Sequence, residues 1–442
     1  MHKITNSWLP RVCLLVFAGL LIEGTLNAQF RGAPRQRGPA AQQAAGPRIY
    51  RSRNFVMKSD LPPQDAKKLL KKLETMLAII SKYWGQPNRK PIECYIVEDL
   101  NNWPQDAFPA DAYAKLAEGA GQTDTLTRFT PSGRPIAAKA TVYAMADRGT
   151  PLHEAVHAYC AQNFGRTGPT WYSEGMAELG SYWVLGDTSV ELPEVVLRYL
   201  QESEPKPLLA IVDNTDQTGD SWQNYAWRWA LCHLLSKNGN YAKRFRPLGL
   251  SLLQNKGASF TRTYGAMSRE IAFEYRFFLE HLQNGLRADL IAWDWSEKFI
   301  FPRGNRPITS EIKARGGWQP SRIKVEAGTT YQVTVEGQWQ VEKNGDELSA
   351  DGEVVAKASG DEGESTETDD DEERTPPPEG AGRMMGVILD PATMTLGEPF
   401  ELGTKSSFTA EIDGQLYLRC KDGWGVLEDN AGEMEVAVSV DG

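Results

Sequence analysis

The sequence predicts an α+β domain, a small sheet plus helices, followed by an all-β sandwich. Three observations carry this reading. Between residues 48 and 297 the apolar positions recur mostly at helical spacing, broken by short strand-like runs. From about Gly316 the pattern changes to alternating or continuous apolar runs between Gly and Asp punctuation, the signature of a sandwich. A chain of 442 residues also exceeds what a single core usually sustains, so two or three domains are expected.

At the N-terminus, Lys3 and Arg11 precede the apolar run Val12 to Ile22, which ends near the small-residue site Leu26-Asn27-Ala28. Residues 1–28 are therefore expected to be a signal peptide. The run is short for a bilayer span and no later stretch is long enough to replace it. The expectation is an exported chain without a membrane span, placed in the periplasm, at the cell surface or outside the cell. Residues 29–47 are dominated by Arg, Gly, Pro, Ala and Gln without apolar periodicity and are expected to be a disordered linker.

The first domain, expected over 48–297, opens with a helix. Ser59-Asp60 reads as its cap, Ala66, Leu69, Leu70, Leu73, Met76, Leu77, Ile80 and Trp84 as its apolar stripe, and Gly85 as its stop. Ile92 to Val97 reads as a buried strand and Ala140 to Met145 as another. Immediately after the second strand comes His153-Glu154-Ala155-Val156-His157, and Glu174 follows His157 by seventeen positions within Trp171-Tyr-Ser-Glu-Gly-Met-Ala-Glu178.

That spacing carries chemistry. On a helix, positions i and i+4 share a face, so the His153 and His157 imidazoles converge on one point with Glu154 turned beside it. Glu174 can supply a third ligand. Two imidazoles and a carboxylate suit Zn²⁺ and leave one coordination position for water, whose pKa the metal lowers towards neutrality while Glu154 stands ready to take its proton. Four of the five histidines lie beyond residue 28, and two of those four fall at ligand spacing.

The segment from about Arg48 to Trp295 resembles the gluzincin branch of the zincin metallopeptidases, and within it a bacterial family of secreted gluzincin-like proteins of unassigned substrate. The residues that carry the resemblance are His153, Glu154, His157 and Glu174, with Glu178 one turn beyond. It implies a zincin-like fold, Zn²⁺ bound by His153, His157 and Glu174, and Glu154 as general base. It also implies Glu178 as a partner that orients a ligand histidine. In zincins the strand before the metal helix lies at the sheet edge and pairs with an extended substrate, which would make Ala140 to Met145 that edge.

Farther along, Trp222, Tyr225, Ala226, Trp229, Ala230, His233 and Leu234 form one helical stripe, which makes His233 a core histidine rather than a ligand. Tyr225 and Tyr241 are candidates for oxyanion stabilisation, although aromatics at helical spacing more often pack in a core. Residues 298–315 are expected to link this domain to the next.

In the second domain, expected over 316–442, the strand-like runs are Arg322 to Glu326, Thr330 to Val335, Gly414 to Arg419 and Met434 to Val440. The tail from Leu416 through Asp422-Gly-Trp-Gly-Val-Leu-Glu-Asp429-Asn430 resembles the bacterial calcium-dependent galactophilic lectins and related domains attached to secreted enzymes. The resemblance implies a Ca²⁺ site at Asp422, Asp429 and Asn430, aided by the Val426 carbonyl, with glycan hydroxyls completing the shell. Asp and Asn beside glycine also occur in ordinary β-turns.

The net charge of −10 is concentrated in one place, since Asp361 to Glu373 holds nine acidic residues and no basic one, leaving −1 for the rest of the chain. No basic surface for nucleic acid is implied. The tract, within an expected insertion over 360–379, reads as disordered and solvated. Cys94, Cys160, Cys232 and Cys420 are an even number in an oxidising destination, equally consistent with disulfides and with buried thiols.

These readings converge on a secreted zinc metallopeptidase acting on a peptide or protein substrate, with a glycan- or surface-binding sandwich. The alternative is a chain without turnover that serves as a cell-envelope or glycan-binding module. An intact Glu154 favours the enzyme.

Overall fold

The computed structural model describes residues 46–131, 135–147, 149–212, 221–304, 306–356 and 379–440. The expected signal peptide and the acidic tract Asp361 to Glu373 lie outside the described residues, as does nearly all of the expected linker 29–47. The described chain is mixed α+β, with helices and several sheets.

It opens with β1 (Arg48–Arg51) and β2 (Phe55–Ser59), an antiparallel pair, then α1 (Pro63–Trp84) and β3 (Ile92–Val97). Next come α2 (Ala110–Ala117), β4 (Gly121–Phe129) and β5 (Pro135–Met145). The expected stripe of α1 is buried from Ala66 to Trp84, and Gly85 ends the helix in the left-handed conformation at φ 69. Its start differs from the expectation. Pro62 and Pro63 lead the helix, because a proline at the first position sacrifices no helical hydrogen bond. Asp60 instead accepts from the backbone of Glu98 and Asp99 at 2.7 and 2.9 Å, tying the end of β3 to the start of the helix.

The strands form one sheet in the order β1-β2-β3-β5-β4, with β2, β3 and β5 parallel and β4 antiparallel at the edge. Period-two alternation gives each face its own core. Ile92, Cys94 and Ile96 of β3 and Ala140, Val142 and Ala144 of β5 pack with α1, whereas Val97 and Tyr143 pack with Trp103, Phe108 and α2 on the opposite face. Ala140 to Met145 is therefore an interior segment. The edge is β4, which meets α3 on one face and α2 on the other but does so largely through polar side chains, so its sequence does not advertise a strand.

Helices follow: α3 (Thr150–Phe164), α4 (Thr170–Ser181), α5 (Glu194–Glu202), α6 (Leu208–Val212), α7 (Trp222–Lys237), α8 (Ala242–Leu253), α9 (Phe260–Tyr264) and α10 (Ser268–Glu280). Helix α3 lies against β4 and β5 and is buried almost all round, so its sequence shows little amphipathic contrast. Helix α4 packs on α3 and α7. His233 on α7 is 3% exposed, stacked on Phe278 and tilted against Trp229, and its pKa falls to about 3, chiefly through burial with Lys237 adding to it.

The remaining strands are β6 (Ile308–Lys313), β7 (Gln319–Val325), β8 (Thr330–Gln340), β9 (Met384–Asp390), β10 (Thr395–Leu396), β11 (Phe400–Leu402), β12 (Lys405–Thr409), β13 (Gly414–Cys420) and β14 (Ala431–Val440). One sheet runs β10-β9-β13-β7 with β11 also on β9, and the other runs β12-β8-β14-β6. Residues 298–315 are thus more than a linker. Ile308 to Lys313 pairs with β14, and the inward Ile312 is fully buried.

Strand β13 shows how the parts join. Leu416 and Leu418 point into the sandwich core with Val333, Val335 and Met434, while Tyr417 points out and meets the helices, its ring 4.5 Å from Trp293. The four cysteines Cys94, Cys160, Cys232 and Cys420 are free buried thiols. Among the described residues no helix is long and apolar enough to cross a membrane.

Candidate metal centre

Helix α3 begins at Gly149 with Pro151 in its first turn and ends at Gly165, whose φ of 78 suits a left-handed cap. Between these stops His153 and His157 lie on the face turned towards α4, which carries Glu174 and Glu178. A glycine brings α4 close. A Cβ at Gly175 would stand 2.7 Å from the Arg228 carbonyl of α7, so the absence of a side chain there sets how deeply Glu174 is held.

His153 Nε2, His157 Nε2 and Glu174 Oε2 converge. The two nitrogens are 3.1 Å apart, and the carboxylate oxygen lies 3.2 Å from His153 and 3.3 Å from His157. A tetrahedral ion with bonds of about 2.0–2.1 Å separates its ligand atoms by about 3.3 Å, so this triangle has the size of one face of such a site.

The outward nitrogens are engaged as well. Glu178 Oε1 lies 2.9 Å from His153 Nδ1, and because a carboxylate only accepts, the proton of that imidazole sits on Nδ1 and its Nε2 presents a lone pair. His157 Nδ1 lies 3.1 Å from Ser173 Oγ. With that proton on Nδ1, Nε2 of His153 faces the Glu174 oxygen, an arrangement relieved by a cation between them, whether a second proton or a metal ion. Burial opposes charge on His153, but hydrogen bonds to Glu174 and Glu178 and the negative charges of Glu178 and Glu154 outweigh it, so its pKa stands well above the ordinary value. Burial likewise opposes charge on Glu174, yet the two imidazoles hold its carboxyl far below the usual range. Both shifts say that the centre favours positive charge.

Glu154 is 7% exposed and sits beside the triangle on α3, with Thr123 Oγ1 of β4 at 2.6 Å from its Oε2. Tyr225 on α7 has its ring centroid 5.7 Å from that of His153. Tyr241 is elsewhere: fully buried, it donates to Glu274 at 2.9 Å and takes no part in the centre. An open cleft of about 780 Å³ begins one turn beyond His157, where Ala161 and Gly165 of α3 meet Thr125 and Thr127 of β4 and Arg166.

The sequence reading did not foresee Ser173 and Thr123. Ser173 had a signal, since it directly precedes Glu174 on the helix that returns to the histidines. Thr123 had none, because its strand was itself unrecognised.

In the sandwich, Asp422 and Asn430 are buried at 7% and 4% exposure, whereas Asp429 and Val426 are exposed. Asp422 Oδ1 accepts from the Gly423 N–H at 2.7 Å and Asn430 Nδ2 donates to the Ala314 carbonyl at 3.3 Å. Asp422 Oδ2 and Asn430 Oδ1 are buried without a partner. The loop between them packs on the helices, with Trp424 stacked on His281 at 4.5 Å and Glu428 paired with Arg287.

The sequence matches no protein-family profile and no curated protein. Among solved structures it is similar to one described as "EclA N-terminal domain; PllA-like lectin", at 15% sequence identity and a TM-score of 0.22, covering 31% of this chain and 100% of that one. A score of that size carries no structural argument, so the functional reading rests on the geometry of the sites.

Proposed function

We propose that the protein is an exported zinc-dependent peptidase, with a gluzincin-like centre on a zincin-like domain over residues 48–297. The observation that supports this is the triangle of His153 Nε2, His157 Nε2 and Glu174 Oε2, with an acid side chain beside it and free space along the sheet edge. Zn²⁺ held there would supply Lewis acidity, polarising an oxygen that is otherwise a poor nucleophile. Glu154 is the group placed to accept a proton from that nucleophile and later return it to the leaving amine. Tyr225, beside His153, is the candidate donor to the oxygen that gains charge. An extended substrate would add to the outer edge of β4 and continue towards the cleft beside Thr125 and Thr127.

The test is metal analysis and cleavage of a quenched-fluorescent peptide pool by purified protein. Wild type should carry one Zn²⁺ per chain and cleave. His153→Ala, His157→Ala and Glu174→Ala should lose the metal, while Glu154→Gln should keep it and lose turnover. Metal retained in wild type without any cleavage would favour the binding-module alternative, and metal loss confined to Glu154→Gln would overturn the roles assigned.

A second cation is favoured by two atoms. Asp422 Oδ2 and Asn430 Oδ1 are oxygens buried without partners, and oxygen-only donors suit Ca²⁺. Asp429 and the Val426 carbonyl would complete the protein's share. Because Trp424 and Glu428 of the same loop pack on the helices, we read this ion as steadying the contact between sandwich and helices, with glycan binding confined to the exposed rim at Val426 and Asp429.

A further inference from the structure

Glu154 does not owe its placement to α3 alone. Its Oε2 lies 2.6 Å from Thr123 Oγ1, and its backbone carbonyl lies 3.0 Å from the same hydroxyl. Thr123 stands opposite Val142 in the sheet and Gly121 opposite Ala144, so both project to the face that α3 covers. At Gly121 a Cβ would lie 2.8 Å from Glu154 Cγ and 3.1 Å from its Oε1. A missing side chain at 121 and a hydroxyl at 123 together form the seat of Glu154.

We infer that Thr123 is a positioning residue, which fixes the Glu154 carboxylate through Oε2, leaves Oε1 for proton transfer, and ties it to the sheet edge along which substrate would lie. This rests on the peptidase reading. The geometry favours it over mere satisfaction of a buried charge for a reason of place. The partner comes from the edge strand β4, so any displacement of that strand by an incoming peptide is felt at Glu154 through a single short hydrogen bond. The hydroxyl has one hydrogen for two acceptors, and the shorter distance together with the charge of the carboxylate directs it to Oε2 rather than to the Glu154 carbonyl.

The experiment compares Thr123→Val, nearly isosteric but without the hydroxyl, with Thr123→Ser, which restores it. Expected for Thr123→Val is full zinc content, an unchanged KM on one quenched-fluorescent peptide, and kcat lowered about 10- to 100-fold, the range associated with a hydrogen bond to a charged group. Thr123→Ser should recover most of the loss. Wild-type kcat in Thr123→Val, or equal impairment in the two variants, would overturn the inference. Should zinc-loaded wild type fail to cleave, the peptidase reading fails by itself and crystal structures of the two variants decide this point. Glu154 turned away in Thr123→Val and in place in Thr123→Ser supports the positioning role; Glu154 unmoved in both refutes it.

Discussion

Glu178 Oε1 accepts a hydrogen bond from His153 Nδ1 at 2.9 Å, across the contact between α4 and α3. The bond fixes which imidazole nitrogen carries the proton and makes the opposite nitrogen a better donor of its lone pair. Glu178→Ala should therefore lower zinc affinity by about 10- to 100-fold, the usual cost of losing such a partner. Ser173→Ala, which removes a neutral partner from His157, should cost less. Competition against a chromophoric chelator measures both, and equal affinities in wild type and Glu178→Ala would show that His153 is oriented by packing alone.

Gly175 follows Glu174 directly and faces the Arg228 carbonyl of α7. Adding a methyl group should push α4 away from α7 and carry Glu174 with it. Gly175→Ala is expected to cost about 1–3 kcal/mol of stability by overpacking and to weaken zinc binding at the same time. Thermal unfolding with and without zinc separates the two effects. A variant that is destabilised yet binds zinc normally would mean that α4 shifts without moving its carboxylate.

Much of this centre was legible because a helix converts sequence spacing directly into side-chain direction. His153 and His157 share a face by their spacing alone, and the buried stripe of α1 and its end at Gly85 were readable in the same way, though its start was not. Strand β3 was visible because Ile92, Cys94 and Ile96 are apolar on a buried face. By contrast, β4 reads Gly-Gln-Thr-Asp-Thr-Leu-Thr-Arg-Phe, and its inward Gly121 and Thr123 serve a carboxylate rather than an apolar core. No local pattern encodes that. Strand β6 was missed because six residues with two inward apolar side chains look like any loop until β14 pairs with them. The sequence likewise marked Asp422 and Asn430 only as candidate Ca²⁺ ligands, and it gave no sign that the loop carrying them is packed on His281 and Arg287, since that contact joins segments more than a hundred residues apart.

That contact should be acid-sensitive. His281 stacks on Trp424 and meets Phe277 edge to face, and its pKa is lowered to about 4 by burial and by the nearby Arg419, whose guanidinium itself lies over the Trp424 ring. A histidine with a depressed native pKa contributes stability that is present above its unfolded value near 6.5 and is lost as pH falls towards 4. Across that window the loss is at most about 1.4 kcal/mol per pH unit. His281→Phe keeps the stacking and removes the titration, so its melting temperature should fall less than that of wild type between pH 7.5 and 4.5. His233, buried apart from this loop, remains in both proteins and cancels in the comparison. Equal falls would place the acid sensitivity elsewhere.

The loop also yields the prediction for calcium. Burial raises the pKa of Asp422 against hydrogen bonds from the Gly423 N–H and the Asn430 side chain, while Asp422 Oδ2 and Asn430 Oδ1 are buried acceptors left without a donor. Two unsatisfied acceptors in one buried place are costly unless a cation or water fills the gap. Calcium should therefore raise the melting temperature of the whole chain by ordinary binding linkage, increasing with concentration. The whole chain is the right material, because Tyr417, Leu427 and Trp318 of the sandwich belong to the same buried cluster as the helices. Asp422→Asn removes the charge and keeps the shape, and it should abolish the calcium response while leaving stability in chelator unchanged or improved. Magnesium, which demands tighter octahedral geometry and sheds water reluctantly, should substitute poorly. A calcium response that survives Asp422→Asn would move the ion away from this loop, and no response in wild type would leave the two oxygens to water.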